Sequence, residues 1–149
     1  MALIEPLRAA RVLHLDTAPI IYLVEQNPSY FELVLPVAQA IAAGEIRAVS
    51  SYVTLLEVLV KPLEQGALEV AERYRAALLG QRNLEMVELD AEIAEEAARI
   101  RARYAFKIAD SIQLATARLH RADTFLTNDV DLGRFSELRV VVLEHHAVH

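Results

Sequence analysis

Short, nearly uniform apolar runs alternate with helix-period segments along this chain, and that alternation constrains the fold more than any other feature. Arg11–Leu15, Ile46–Ser50, Leu84–Leu89, Asp123–Thr127 and Arg139–Leu143 read as buried strands. Strands joined through helices pair in parallel, and strands without polar alternation are covered on both faces. The pattern predicts an α/β fold: a three-layer sandwich with a parallel sheet of four to five strands and helices on both sides. Thr17 caps a helix that runs to Gln26, with Pro19 in its first turn. Tyr30–Ala43 is a second helix, kinked or split at Pro36 and ended by Gly44. Further helices span Ser51–Val60, stopping at Lys61-Pro62, then Gly66–Leu79, Ala91–Phe106 behind an Asp90 cap, and Ala109–His120. With no repeat, linker or low-complexity tract, residues 1–149 are expected to form a single domain.

Composition excludes several function classes. The chain lacks cysteine, which removes disulfides, thiolate zinc sites and a cysteine nucleophile. It has four glycines and no Gly-rich phosphate loop. No apolar run reaches the roughly 18 residues of a membrane span, and the first ten residues lack the apolar core of a signal peptide. A cytoplasmic protein with no membrane association is expected. A net charge of −6 at first opposes a polyanionic partner.

In parallel α/β folds, ligands sit outside the carboxyl ends of the strands. Five acids fall at such places or close to them. Asp16 follows the first strand among Leu13, Leu15, Ile20 and Ile21, where it is either a helix cap or part of a site. Glu57 is the only charge between Arg47 and Lys61, in an apolar helix expected to be largely buried. It must therefore face a cleft, a partner or a cation, with a structural ion pair to an arginine as the alternative reading. Asp110 opens the helix Ala109–His120, opposite a core stripe of Ile108, Ile112, Ala115 and Leu119. A first-turn aspartate that suits the helix dipole is its alternative reading. Asp129 and Asp131 follow the fourth strand, where an Asx-rich turn is the alternative. Taken together, clustered carboxylates need a cation to remain ionised, and oxygen-only ligands favour Mg²⁺ or Mn²⁺ over zinc. A site of that kind suits phosphodiester hydrolysis.

The order and spacing of Leu15-Asp16-Thr17, Leu56-Glu57-Val58, Ile108-Ala109-Asp110-Ser111-Ile112 and Leu126-Thr127-Asn128-Asp129 resemble PIN-domain ribonucleases. Among these, the chain is most similar to the VapC toxins of prokaryotic toxin–antitoxin pairs, from about Val12 to Leu143. The resemblance implies a PIN fold, a homodimer, metal-dependent endoribonuclease activity and a cognate antitoxin that blocks the active site. It implies that Asp16, Glu57, Asp110 and Asp129 are the acidic quartet that holds Mg²⁺ or Mn²⁺. Thr127 is then the hydroxyl that orients the last aspartate or the attacking water. Asp131 matches an additional acidic position of the family, read here as a support or a cap. A PIN nuclease of RNA processing and a catalytically silent α/β interaction module are the other readings, and the complete acidic set opposes the second.

The basic residues are unevenly spread. Arg99, Arg101, Arg103, Lys107, Arg118 and Arg121 face a single acid, Asp110, within their span, a local charge of +5. Such a segment can guide a phosphate backbone, and Arg118 and Arg121 are the expected RNA contacts. The five tyrosines are expected to pack rather than stack on bases. His145, His146 and His149 are expected to be a frayed tail rather than a zinc site. The amphipathic segments Ala67–Leu79 and Tyr30–Val37 are read as core, with a partner surface as the alternative.

Overall fold

The computed structural model describes residues 3–147. Five strands form one sheet: β1 Val12–Leu15, β2 Arg47–Ser51, β3 Leu84–Val87, β4 Thr124–Thr127 and β5 Arg139–Val142. Their order is β3-β2-β1-β4-β5. Every pairing is parallel, with Leu13 opposite Ala48 on one side and opposite Thr124 on the other. The chain builds outward from β1 to β3 and then returns past β1 to place β4. The order therefore reverses between β1 and β4, and a crevice opens at such a reversal, beyond the carboxyl ends of the two strands.

Among the described residues, seven α-helices complete the layers: α1 Ile4–Leu7, α2 Thr17–Val24, α3 Phe31–Ala42, α4 Tyr52–Glu64, α5 Leu68–Leu79, α6 Ala91–Tyr104 and α7 Ile108–Leu119. Successive strand residues point to opposite faces, and the core divides accordingly. Leu13, Leu15, Ala48 and Leu126 pack with residues of α1 to α5. Val49, Val87 and Phe125 pack with residues of α6 and α7. The expected three-layer sandwich is formed, at the upper end of the predicted strand count.

Several local expectations are corrected. The cap of α2 is Asp16, whose side chain accepts from the backbone N–H of Thr17; Thr17 itself is the first helical residue. Pro36 does not split α3, and α4 runs through Pro62 to Glu64. Each proline removes one helical N–H. Burial of Val34, Val37, Ala40 and Ile41 along α3, and of Val58 and Pro62 along α4, offsets that loss. Helix α4 is apolar without being largely buried: Tyr52, Leu56, Val60 and Leu63 are exposed. The stripe assigned to α7 is also displaced. Ile108 is 64% exposed, and the buried residues include Ser111, Gln113 and Thr116 as well as Leu114, Ala115 and Ala117. This helix lies between α6 and the sheet, so it buries more than one face, polar positions included. Helix α1 precedes β1, and its Ile4 and Leu7 are buried. His145 and His146 belong to a 3₁₀ turn, Leu143–His146, anchored by buried Leu143; His149 lies outside the described residues.

Candidate active site

Asp16 follows β1 directly and is 8% exposed. Its Oδ1 accepts from the Thr17 N–H at 2.8 Å, and its Oδ2 accepts from the Thr127 hydroxyl at 2.7 Å. The helix-cap reading and the site reading thus both describe it. Burial pushes its carboxyl up to about 6; hydrogen bonds from Thr127 and Thr17 oppose that shift, and the charges of Asp110 and Glu57 add to it.

Thr127 ends β4, beside β1. While donating to Asp16, it accepts from the Asp129 N–H at 3.0 Å. One hydroxyl therefore fixes a side chain from β1 and the turn that carries Asp129. Asp129 Oδ1 accepts from the Asp131 N–H at 3.0 Å and caps the 3₁₀ turn Val130–Arg134. Asp110 stands in the first turn of α7, half-buried. Burial raises its pKa, followed by the charges of Asp129 and Glu57. Glu57 projects from α4, and its Oε1 accepts from the Thr17 hydroxyl at 2.6 Å. It is exposed to the cleft rather than enclosed in a buried helix, as the apolar character of α4 had implied.

All five of these side chains line one open cleft of about 450 Å³, together with Tyr22 and Asn128. Sequence reasoning passed over three contributors here. Thr17 holds Glu57; it stood next to Asp16 in the first motif but carries no charge to mark it. Asn128 donates to the Tyr22 hydroxyl at 2.9 Å and accepts from the Glu144 N–H at 2.8 Å, tying the Thr-Asn-Asp segment to α2 and to the end of β5. Tyr22 stacks on Tyr30 with ring centroids 4.6 Å apart. Asp131 takes no part in lining the cleft. It pairs with Arg134 at 2.6 Å, which draws its pKa down.

No basic side chain among the described residues lines the cleft. The basic side chain whose charge acts on Asp110 is Lys107, three residues before it. Arg118 is engaged elsewhere, 2.7 Å from Glu96 and 3.6 Å from Glu137. Arg121 is exposed beyond the far end of α7, about 16 Å along the helix from Asp110 by helical rise.

The donor set suits a hard divalent cation. Its side-chain donors are carboxylate oxygens, with hydroxyls alongside, and Asp16 and Asp110 each bear repulsion from neighbouring carboxylates that no positive side chain in the lining relieves. Among the described residues, no three such groups converge into a ready-made metal cage. Mg²⁺ needs none, because it binds through one or two carboxylates and keeps several waters.

A parallel three-layer α/β protein with an acidic cleft at the sheet's switch point is the class that fold and site define. The sequence matches the PIN domain over residues 13–138, and the chain belongs to that family. No curated protein matches it. Among solved structures, a toxin–antitoxin complex from Klebsiella pneumoniae is similar at 25% identity and a TM-score of 0.65, covering 88% of this chain and 97% of that one. DNA-bound VapBC from Salmonella typhimurium shares the fold at 22% identity and a TM-score of 0.63, over 88% and 97% of the two chains. VapC20 of Mycobacterium tuberculosis, a sarcin–ricin-loop-cleaving toxin, shares it at 14% identity and 0.62, over 76% and 86%. Among the described residues no helix is long and apolar enough to cross a membrane.

Proposed function

We propose that this protein is a cytoplasmic, metal-dependent endoribonuclease that hydrolyses RNA phosphodiester bonds, and that it is the toxin of a VapBC-type pair. The observation that carries this reading is the cleft itself, which four carboxylates from four separate segments line with no cation of the protein's own among its described lining. Asp16, Glu57, Asp110 and Asp129 are the candidate ligands of Mg²⁺ or Mn²⁺. When bound, such an ion supplies an activated water and offsets charge on the scissile phosphate. The chain's own residues set the geometry. Thr127 holds Asp16 and the turn of Asp129 in one register, and Thr17 keeps Glu57 turned toward Asp16. Lys107 and Arg121 are the backbone contacts this reading favours, whereas Arg118 must leave Glu96 and Glu137 to meet a phosphate.

Two apolar features support the proposed partners. The exposed stripe Tyr52, Leu56, Val60 and Leu63 on α4 suits a homodimer. A cavity of about 260 Å³ lined by Pro19, Ile20, Leu23, Val34, Ala38 and Ala77 suits an apolar segment of an antitoxin. The first lies on α4, which carries Glu57, and the second reaches α2, whose first turns line the cleft. The similarity to a toxin–antitoxin complex points the same way.

The test is incubation with tRNA, rRNA and mRNA in Mg²⁺ or Mn²⁺, beside EDTA and Asp16→Asn controls. Cleavage is expected only by the metal-supplied wild type. Wild-type rates from Asp16→Asn would sink the site assignment.

A further inference from the structure

A buried ring of hydrogen bonds joins β1, α4 and α7, three of the segments that position the acids. His14 Nε2 lies 2.7 Å from Gln113 Oε1, and Gln113 Nε2 donates to Thr54 Oγ1 at 2.7 Å. Thr54 Oγ1 and Ser50 Oγ are 2.9 Å apart, and Ser50 Oγ donates to the Leu15 carbonyl oxygen at 2.7 Å. His14, Gln113, Thr54 and Ser50 are each 0% exposed.

The supply of protons gives the ring a direction. A carbonyl oxygen only accepts, so the single Ser50 proton goes to Leu15. Thr54 therefore donates to Ser50 while accepting from Gln113, and the Gln113 carbonyl takes the Nε2 proton of His14. His14 Nδ1, which has no partner among the described residues, is then the bare nitrogen of a neutral imidazole. That ring stacks on Phe125, with centroids 4.9 Å apart.

The placement of the ring is informative. It leaves β1 at His14 and returns to β1 at Leu15, the two residues before Asp16. On α4 it passes through Thr54, one turn before Glu57. On α7 it passes through Gln113, one turn after Asp110. Apolar packing tolerates small slips of one element on another, whereas slipping a satisfied buried hydrogen bond strands a polar group.

We propose that this ring is a positioning device: Thr54 and Gln113 set α4 and α7 against the end of β1, and so hold Glu57 and Asp110 on the same cleft as Asp16, where a divalent cation would draw on them. The proposal rests on the metal-centre reading of the cleft. It is tested with Mn²⁺ alone, by calorimetric titration of the full-length protein without RNA, beside a thermal melt of each variant. Thr54→Val keeps the side chain's shape and removes its hydroxyl. Its dissociation constant for Mn²⁺ is expected to rise about 10- to 100-fold, the range for groups that orient metal ligands. Thr54→Ser restores the hydroxyl and is expected to bind as wild type does. Gln113→Met opens the ring at a second point and is expected to follow Thr54→Val, so one variant that fails to fold does not decide the matter. Ile100→Val, in the core beneath α6, lowers the melting temperature without touching the ring and is expected to leave Mn²⁺ affinity unchanged. Folded Thr54→Val or Gln113→Met protein with wild-type affinity overturns the ring proposal alone, as does an Ile100→Val protein weakened equally. Wild-type protein that takes up no Mn²⁺ overturns the metal reading together with it.

Discussion

On the outer face of α6 and α7, Glu96 and Glu137 stand among guanidinium groups: Arg99 pairs with both, and so does Arg118. At the carboxyl end of the sheet, Asp16, Glu57, Asp110 and Asp129 share a cleft with only hydroxyls, amides and apolar side chains around them. The two regions answer the same electrostatic problem in opposite ways. Glu137 is partly desolvated, yet hydrogen bonds from Arg99 and Tyr104 outweigh that and draw its pKa below the usual carboxylate range. Asp16 is desolvated too, and its hydrogen bonds from Thr127 and Thr17 do not prevail. The outer face is electrostatically complete, whereas the cleft keeps an unmet demand for positive charge. Natural sites often hold such a demand at a cost in stability, because meeting it within the chain would leave no room for a ligand.

Four experiments break or sharpen that contrast, from the largest expected effect to the smallest. Asp16→Asn or Asp110→Asn should lower RNA cleavage by about 10³-fold, on the order of the loss of one charge-stabilising group. Gel assays against the wild type measure it, with circular dichroism to show that the fold survives. Next, Mn²⁺ at about 100 times its dissociation constant should stabilise the protein by about 2.7 kcal/mol. In thermal melts this gain should shrink as pH falls through about 6, where Asp16 takes up a proton. The third effect concerns the metal-free protein. Asp16 is raised above its ordinary value, so its ionisation opposes folding; that cost is full above about pH 6 and absent below about pH 4. Asp16→Asn should thus gain about 1–2 kcal/mol at pH 7.5, after allowance for the hydrogen bond it no longer accepts from Thr127, and little at pH 3.5. Melts with EDTA at both pH values decide this, and equal shifts at the two would refute the electrostatic account. Last, Arg118→Ala on the outer face should cost less than about 1 kcal/mol in a urea titration and leave cleavage almost unchanged. A large drop in cleavage would return Arg118 to the RNA path.

The parts of the fold that follow from period and punctuation were readable from residues alone. Parallel strands and the acids at strand ends rest on patterns within a few residues of each other, whereas the order of the strands in the sheet is set by contacts far apart in the chain. The misreadings share a different cause. Ile108 and Leu56 are apolar and exposed, while Ser111, Gln113 and Thr54 are polar and buried. Hydrophobicity reports burial only where tertiary partners do not intervene, and here a polar ring and an unpaired helix face do. The exposure of Glu57 has the same origin: α4 is apolar because one face meets the core and another faces outward. Pro36 and Pro62 read as breaks because local geometry disfavours them, and packing on the core overrode that local term. Among the basic residues, counting charge along the chain could not separate Arg118, bound to glutamates across α6, from Lys107, whose field reaches Asp110.

The hydrogen bond from Thr127 to Asp16 spans 111 residues of sequence. On a ribosome adding about 5–20 residues per second, Asp16 is made roughly 6–20 s before the hydroxyl that holds it. Until β4 is added, the nascent chain lacks both that hydroxyl and Asp129. A site that needs all four carboxylates is thus completed only when nearly the last strand has been synthesised, whatever has folded before it.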